Sequence, residues 1–155
     1  MRKVILAVLV LAACAKSDDA AVDTTAATAA EPAAPAMTAA QSMYAGVWNG
    51  RSYRAGAPAS DTGSTWTMTF TPADTGLTGT LRFSGQTTDI PIRVDEASHS
   101  SMRTTFGPYM SPAAGNAEVT TTTEGRMAGD SLFGSFVATP TTGAKVSGRF
   151  AARRQ

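Results

Sequence analysis

The sequence predicts an all-β fold, a small antiparallel up-and-down β-barrel of about eight strands over residues 44–155. Three observations carry this reading. From Tyr44 onward, large apolar residues recur at every second position, the period of a strand with one buried face. Gly, Pro, Asp and Ser break that alternation at intervals of about 8 to 12 residues, the spacing of short strands joined by turns. Composition agrees, because a chain rich in Thr, Gly and Ala, with 7% aromatic and 16% charged residues, suits strands and turns better than helices.

The residues before Tyr44 are of a different kind. Arg2 and Lys3 precede the apolar run 4–11 (VILAVLVL), and the small residues Ala12 and Ala13 follow it, the order of a secretory signal peptide over residues 1–13. The run is too short to span a bilayer, which needs about 20 apolar residues, and Asp18 and Asp19 come soon after it. Leu11-Ala12-Ala13-Cys14 resembles the lipobox of bacterial lipoproteins. The resemblance implies cleavage between Ala13 and Cys14, a diacylglycerol thioether on Cys14 and an acylated new amino terminus. Several acyl chains hold a protein firmly where one gives only marginal binding, each buried methylene adding about 0.8 kcal/mol. In lipoproteins of this kind an Asp after the lipidated cysteine favours retention in the inner membrane. Ala15 stands at that position, so the expected location is the outer membrane, with the domain facing the periplasm.

Residues 14–43 comprise Cys14 and a linker rich in Ala, Thr and Pro, without recurring large apolar side chains. A segment of this composition cannot offset its ordering entropy and is expected to be disordered. Thr24, Thr25, Pro32 and Pro35 oppose any helix longer than a turn or two around the alanines of 26–30. As a flexible coil the linker would span about 30 Å, enough to clear lipid headgroups.

The strands follow in order. Residues 46–53 (GVWNGRSY) open the series. Residues 64–71 put Trp66, Met68 and Phe70 on one face and Thr65, Thr67 and Thr69 on the other, and 77–83 resume after the turn 72–76 with Leu77, Gly79, Leu81 and Phe83 inward. In 89–94, Ile90, Ile92 and Val94 share a face, and Pro91 signals an edge, a bulge or an irregular ladder. After a turn at 95–98, residues 100–106 offer Met102 and Phe106 inward, and 107–112 (GPYMSP) read as a loop. Residues 117–127 form the most polar strand, and 132–138 and 146–152 complete the set. A weak repeat, apolar-x-Gly-x-apolar, recurs around Gly79, Gly134 and Gly148; inward glycines permit sharp bends or the close approach of a large neighbour such as Trp48 or Trp66.

Gly46-Val47-Trp48 at the start of an antiparallel meander is similar to the G-x-W that begins the calycin barrels, the lipocalins and avidins. The resemblance implies an up-and-down barrel and, in its ligand-carrying members, an interior cavity. This domain is shorter than a typical lipocalin, has no cysteine for disulfides and has no long gating loop after the first strand.

Candidate chemistry is sparse. Cys14 is the only cysteine, which excludes an internal disulfide and, once lipidated, leaves no thiol for catalysis or zinc. Loss of Arg2 and Lys3 from 13 basic residues leaves 11 against 12 acids, so the mature chain is near −1 and nucleic acid is not an expected partner. His99, the sole histidine, lies in the stretch Asp95-Glu96-Ala97-Ser98-His99-Ser100-Ser101, where a hydrolase would have to be built. Asp, Glu and Ser also gather in ordinary turns, because their side chains bond their own backbone. No metal-ligand spacing is present and no cofactor is implied. Arg51, Arg82, Arg93, Arg103 and Arg149 fall on the outward phase, as cross-strand partners for Glu118 and Glu124 or as a contact surface for anionic headgroups or polysaccharide. Tyr109 and Met110, between Gly107-Pro108 and Pro112, are the candidate binding residues, either exposed anchors for a protein partner or side chains folded back on the barrel mouth.

The expectation is a non-enzymatic lipoprotein, held to the membrane by its lipid anchor, that presents a small barrel for binding or envelope structure. The alternative is a carrier of a small apolar ligand in a calycin-like cavity, which requires Gly79, Gly134 and Gly148 to leave the interior open. A hydrolase using His99 is a second alternative. A transmembrane barrel is disfavoured by strands read as shorter than the 9 to 11 residues needed and by the absence of an aromatic girdle.

Overall fold

A computed structural model describes residues 38–74, 76–111 and 114–155. The signal peptide, Cys14 and the linker up to residue 37 lie outside the described residues. Eight strands run antiparallel in chain order and close into a barrel: β1 (Gly46–Arg54), β2 (Ser64–Ala73), β3 (Gly76–Phe83), β4 (Ile90–Ala97), β5 (Met102–Ser111), β6 (Ala117–Ala128), β7 (Ser131–Pro140) and β8 (Val146–Arg154). Closure is made by β1, which pairs with β2 through Trp48↔Met68 and with β8 through Gly50↔Ala152. The alternation dictates which side faces in. Trp66, Met68 and Phe70 of β2 are buried, as are Leu77 and Leu81 of β3, Ile90 and Ile92 of β4, and Phe150 and Ala152 of β8. The outward positions are mostly Thr, Arg, Glu and Ser, with Tyr53, Met110, Phe133 and Val137 the large apolar side chains exposed among the described residues.

That polarity is what sets the barrel apart from a membrane-spanning one. Strand length does not, because the strands run from 8 to 12 residues and several reach the 9 to 11 expected of a bilayer span. An apolar interior with an exterior made mostly of Thr, Arg and Glu is the inside-out inverse of a porin wall.

Short turns join the strands at one end and longer loops at the other. The turns after β2, β4 and β6 lie at the tight end, and the connections after β1, β3, β5 and β7 at the loop end. The disorder expected as far as residue 43 is not found at its end. Residues Ala39–Tyr44 form a helix, α1, seated on the tight end with Ala40 and Tyr44 buried. Thr38 starts it with a capping box: its hydroxyl accepts from the Gln41 amide at 3.2 Å, and the Gln41 side chain accepts from the Thr38 amide at 2.9 Å. Six residues are too few for an isolated helix, so burial of Tyr44 supplies what local propensity lacks.

Two further expectations are corrected. The turn placed at 95–98 lies at 98–101, because β4 continues to Ala97 across a bulge between Val94 and Glu96. The segment read as a loop at 107–112 is the end of β5, which continues to Ser111 after a second bulge. Pro91 sits opposite Thr80 in the narrowest ladder, where four residue pairs join β3 to β4.

Candidate functional site

The tight end is filled. The Tyr44 hydroxyl donates to the Ser98 carbonyl at 3.0 Å, and Trp48, fully buried, donates its indole N–H to the Tyr44 carbonyl at 2.9 Å. The Arg154 guanidinium lies 4.5 Å from the Trp48 ring centroid and donates to the carbonyls of Met43 and Ala45. One cationic side chain from the last strand thereby ties α1, β1 and the indole together, a cation–π contact backed by hydrogen bonds.

Above this plug the barrel is hollow. A cavity of about 510 Å³ opens at the loop end, inside the range of roughly 300 to 1,000 Å³ usual for small-molecule sites. Its deep wall is apolar: Trp66, Met68, Leu81, Phe106, Val119 and Phe150 are all buried and all line it. The rings form two groups. Tyr109 stacks on Phe106 at a centroid distance of 5.8 Å and meets Phe83 at 5.7 Å, while Trp66 meets Phe150 edge-on at 6.0 Å. Polar residues gather at the rim, including Ser52, Ser64, Ser84 and Gln86, with Arg54 and Asp61 the charged side chains of the lining. Asp61 is committed to its own loop, accepting from the Gly63 amide at 2.9 Å.

The bulge in β5 explains how Tyr109 reaches this wall. Phe106 pairs with Thr121, but Tyr109 pairs with Val119, so β5 spends one residue more than β6 over the same length. One extra residue inverts the alternation. Before the bulge Met102, Thr104 and Phe106 point inward; after it Tyr109 does, and Met110 turns out to solvent at 58% exposure. The two residues expected to act together are therefore separated. Tyr109 is not an exposed loop anchor but a strand residue in the cavity wall, whereas Met110 stands outside. The Tyr109 hydroxyl shares a hydrogen bond of 3.1 Å with Thr121 Oγ1. Burial pushes the phenol above its ordinary value, the bond to Thr121 acting the other way, so it is a neutral donor at physiological pH.

The glycines play a different part from the one the open-interior reading required. A Cβ on Gly79 would lie 2.7 Å from the Phe70 ring, on Gly148 2.5 Å from the Phe136 ring, and on Gly134 1.9 Å from the Glu124 carbonyl. Their space is taken by neighbours; the cavity exists because the side chains of the loop-end half do not meet across the barrel. Gly50 accommodates Trp66, whose ring would be 2.1 Å from an added Cβ, so it is Trp66 rather than Trp48 that lies over a first-strand glycine.

His99 is exposed in the turn 98–101 and makes no hydrogen bond among the described residues. Ser98 bonds Ser100 and Ser101 within the turn, and Asp95 is held by Arg93 at 2.6 Å and Thr105 at 2.6 Å. Nothing orients an acid or a hydroxyl on the imidazole. The outward arginines divide into two sets. Arg82, Arg93 and Arg103 pair with Asp89, Asp95, Glu96 and Glu124, whereas Arg51 and Arg149 meet no carboxylate within 4 Å among the described residues. Comparison with protein-family models, with curated proteins and with solved structures finds no match.

The calycin resemblance raises an interior cavity, but the sequence does not give the residues that wall it. Tyr109 is a candidate in the sequence, as an exposed anchor or as a loop side chain folded back on the barrel mouth, but not as a strand residue; Thr121, Phe136 and Phe150 carry no signal beyond their inward phase. The offset between Phe106 and Tyr109 against the regular alternation of residues 117–127 is the one clue, and only the pairing of β5 with β6 reveals it.

Proposed function

We propose that this chain is a ligand-binding barrel of the cell envelope, tethered by Cys14 to the outer membrane, that holds a small, largely apolar molecule in its interior. The observation that carries the reading is the one-ended cavity: a plug of Tyr44, Trp48 and Arg154 closes the barrel at one end, and a wall of aromatic and aliphatic side chains with a polar rim opens at the other. The signal peptide and lipobox support the tether. This ranks the carrier reading above a purely structural barrel, since a structural barrel has no need of a hollow apolar half. Burial of most of a ligand of this volume against such walls is worth roughly 25 cal/mol per Å² of apolar surface removed from water, before the cost of association.

The test is to purify the lipidated protein from its native membrane, extract it with organic solvent and identify released molecules by mass spectrometry. One compound recovered near one per chain, and lost from a Phe106→Glu variant that still melts cooperatively, supports the carrier. Recovery of nothing beyond bulk phospholipid, together with failure of the chain to take up the fluorescent probe N-phenyl-1-naphthylamine, overturns it.

A further inference from the structure

The apolar wall contains one polar feature, and it constrains the ligand. Tyr109 and Thr121 both line the cavity, and their hydroxyl oxygens lie 3.1 Å apart. Two hydroxyls bring two protons to a contact that uses one. Neither oxygen makes another hydrogen bond among the described residues, so whichever of them donates within the pair, the other keeps an unused O–H. This differs from the neighbouring Thr104–Thr123 pair, 2.7 Å apart, which is buried in the β5–β6 wall and does not line the cavity.

Charge supplies a second constraint. The charged lining residues are Arg54, the last residue of β1, and Asp61 in the following loop, both at the rim. A carboxylate or ammonium drawn into the deep wall would find no counter-charge, and burial of an unpaired charge is prohibitive. The rings of Phe83, Phe106 and Tyr109 on one part of the wall, and of Trp66 and Phe150 on another, offer flat surfaces suited to offset or edge-on ring contacts.

We infer that the cavity selects an uncharged, ring-bearing molecule with a hydrogen-bond-accepting oxygen, of the aromatic or conjugated ketone class, whose oxygen takes the spare proton of the Tyr109–Thr121 pair. This rests on the cavity being a ligand site, as proposed above, and adds the chemistry that site recognises. A hydrocarbon of the same shape would fill the space but leave that donor without water or partner, which a site built around a hydrogen bond penalises.

Benzophenone and diphenylmethane form a matched pair for the test, because they differ in a carbonyl against a methylene between the same two rings. Each is titrated against the full chain as a competitor of bound N-phenyl-1-naphthylamine. The expected result is about tenfold tighter binding of benzophenone to the parent, a ratio that falls to near one in Tyr109→Phe/Thr121→Val while diphenylmethane affinity stays within about twofold. Tyr109→Phe alone, which keeps the ring on Phe83 and Phe106, is expected to lower the ratio part of the way. Equal affinities in the parent overturn the acceptor-oxygen inference and leave the cavity reading standing. A preference that survives in the double variant overturns the role of the hydroxyl pair. Failure of the parent to bind the probe or either competitor removes the ligand site itself, and the inference with it.

Discussion

Trp48 shows how much one residue can hold. Its indole is fully buried, hydrogen-bonded to Tyr44 and covered by Arg154, so it links the helix, the first strand and the last. Truncating such a side chain costs about 3 to 5 kcal/mol, a large part of a small domain's stability. Trp48→Ala in the full chain is expected to lose cooperative thermal unfolding by circular dichroism, whereas His99→Ala, exposed and unbonded, stays within about 0.5 kcal/mol of the parent. A parent-like melt for Trp48→Ala would mean that the plug does not close the barrel. Asp95 sets an acid limit on the opposite wall. Burial pushes its carboxyl up, but the Thr105 hydroxyl, the Arg93 ion pair and the charge of Arg103 outweigh that and hold it below the usual range. A folded pKa below the unfolded one gives stability that is present above about pH 3.9 and is lost as pH falls from there through the folded value. The thermal midpoint of the parent should therefore drop across that window more steeply than that of Asp95→Asn, which starts lower at neutral pH. Identical pH profiles would show that these contacts contribute nothing.

The functional wall is made at the scale of elements, by bulges and turns more than by composition. The extra residue of β5 between Phe106 and Tyr109 decides that a phenol, rather than Met110, enters the cavity. Deleting Gly107 should remove the bulge while keeping Tyr109 opposite Val119 and facing the cavity, because Tyr109 then follows Phe106 by two residues, the period of a regular strand. The expected outcome is a barrel that still folds and binds N-phenyl-1-naphthylamine within a few-fold of the parent, with the preference for benzophenone kept. Loss of that preference with folding intact would show that Tyr109 no longer faces the cavity. The close approach of β6 to β7 works in the same way. With the Glu124 carbonyl 1.9 Å from where a Cβ on Gly134 would stand, the glycine lets the two strands draw together at a point where no side chain fits.

At the scale of the whole molecule, the proposed function assigns binding to the barrel and location to the lipid tether. Cys14→Ser is expected to abolish acylation and move the protein from the detergent-rich to the aqueous phase of a two-phase partition, with the melting temperature of the barrel unchanged; persistence in the detergent-rich phase would rule out the anchor. The strands were legible in the sequence because a half-buried strand must alternate, and Trp66-x-Met68-x-Phe70 or Ile90-x-Ile92-x-Val94 can satisfy that in one way only. Their number and most of their inward faces follow from local pattern, while the end of β5, inverted by its bulge, does not. The tight end was partly legible through Trp48, but the helix at Ala39–Tyr44 was not, since its stability comes from burying Tyr44 beneath a barrel assembled from residues far along the chain. The walls of the cavity were illegible for a similar reason. Whether inward side chains meet across a barrel depends on closure, on which strands bulge and on where a ring leans into a glycine, and these are relations between strands rather than properties of any one of them. The sequence by itself determined an eight-stranded apolar-in barrel; only the tertiary structure decided that one half is plugged and the other hollow, because packing is settled between elements that the sequence lists one at a time.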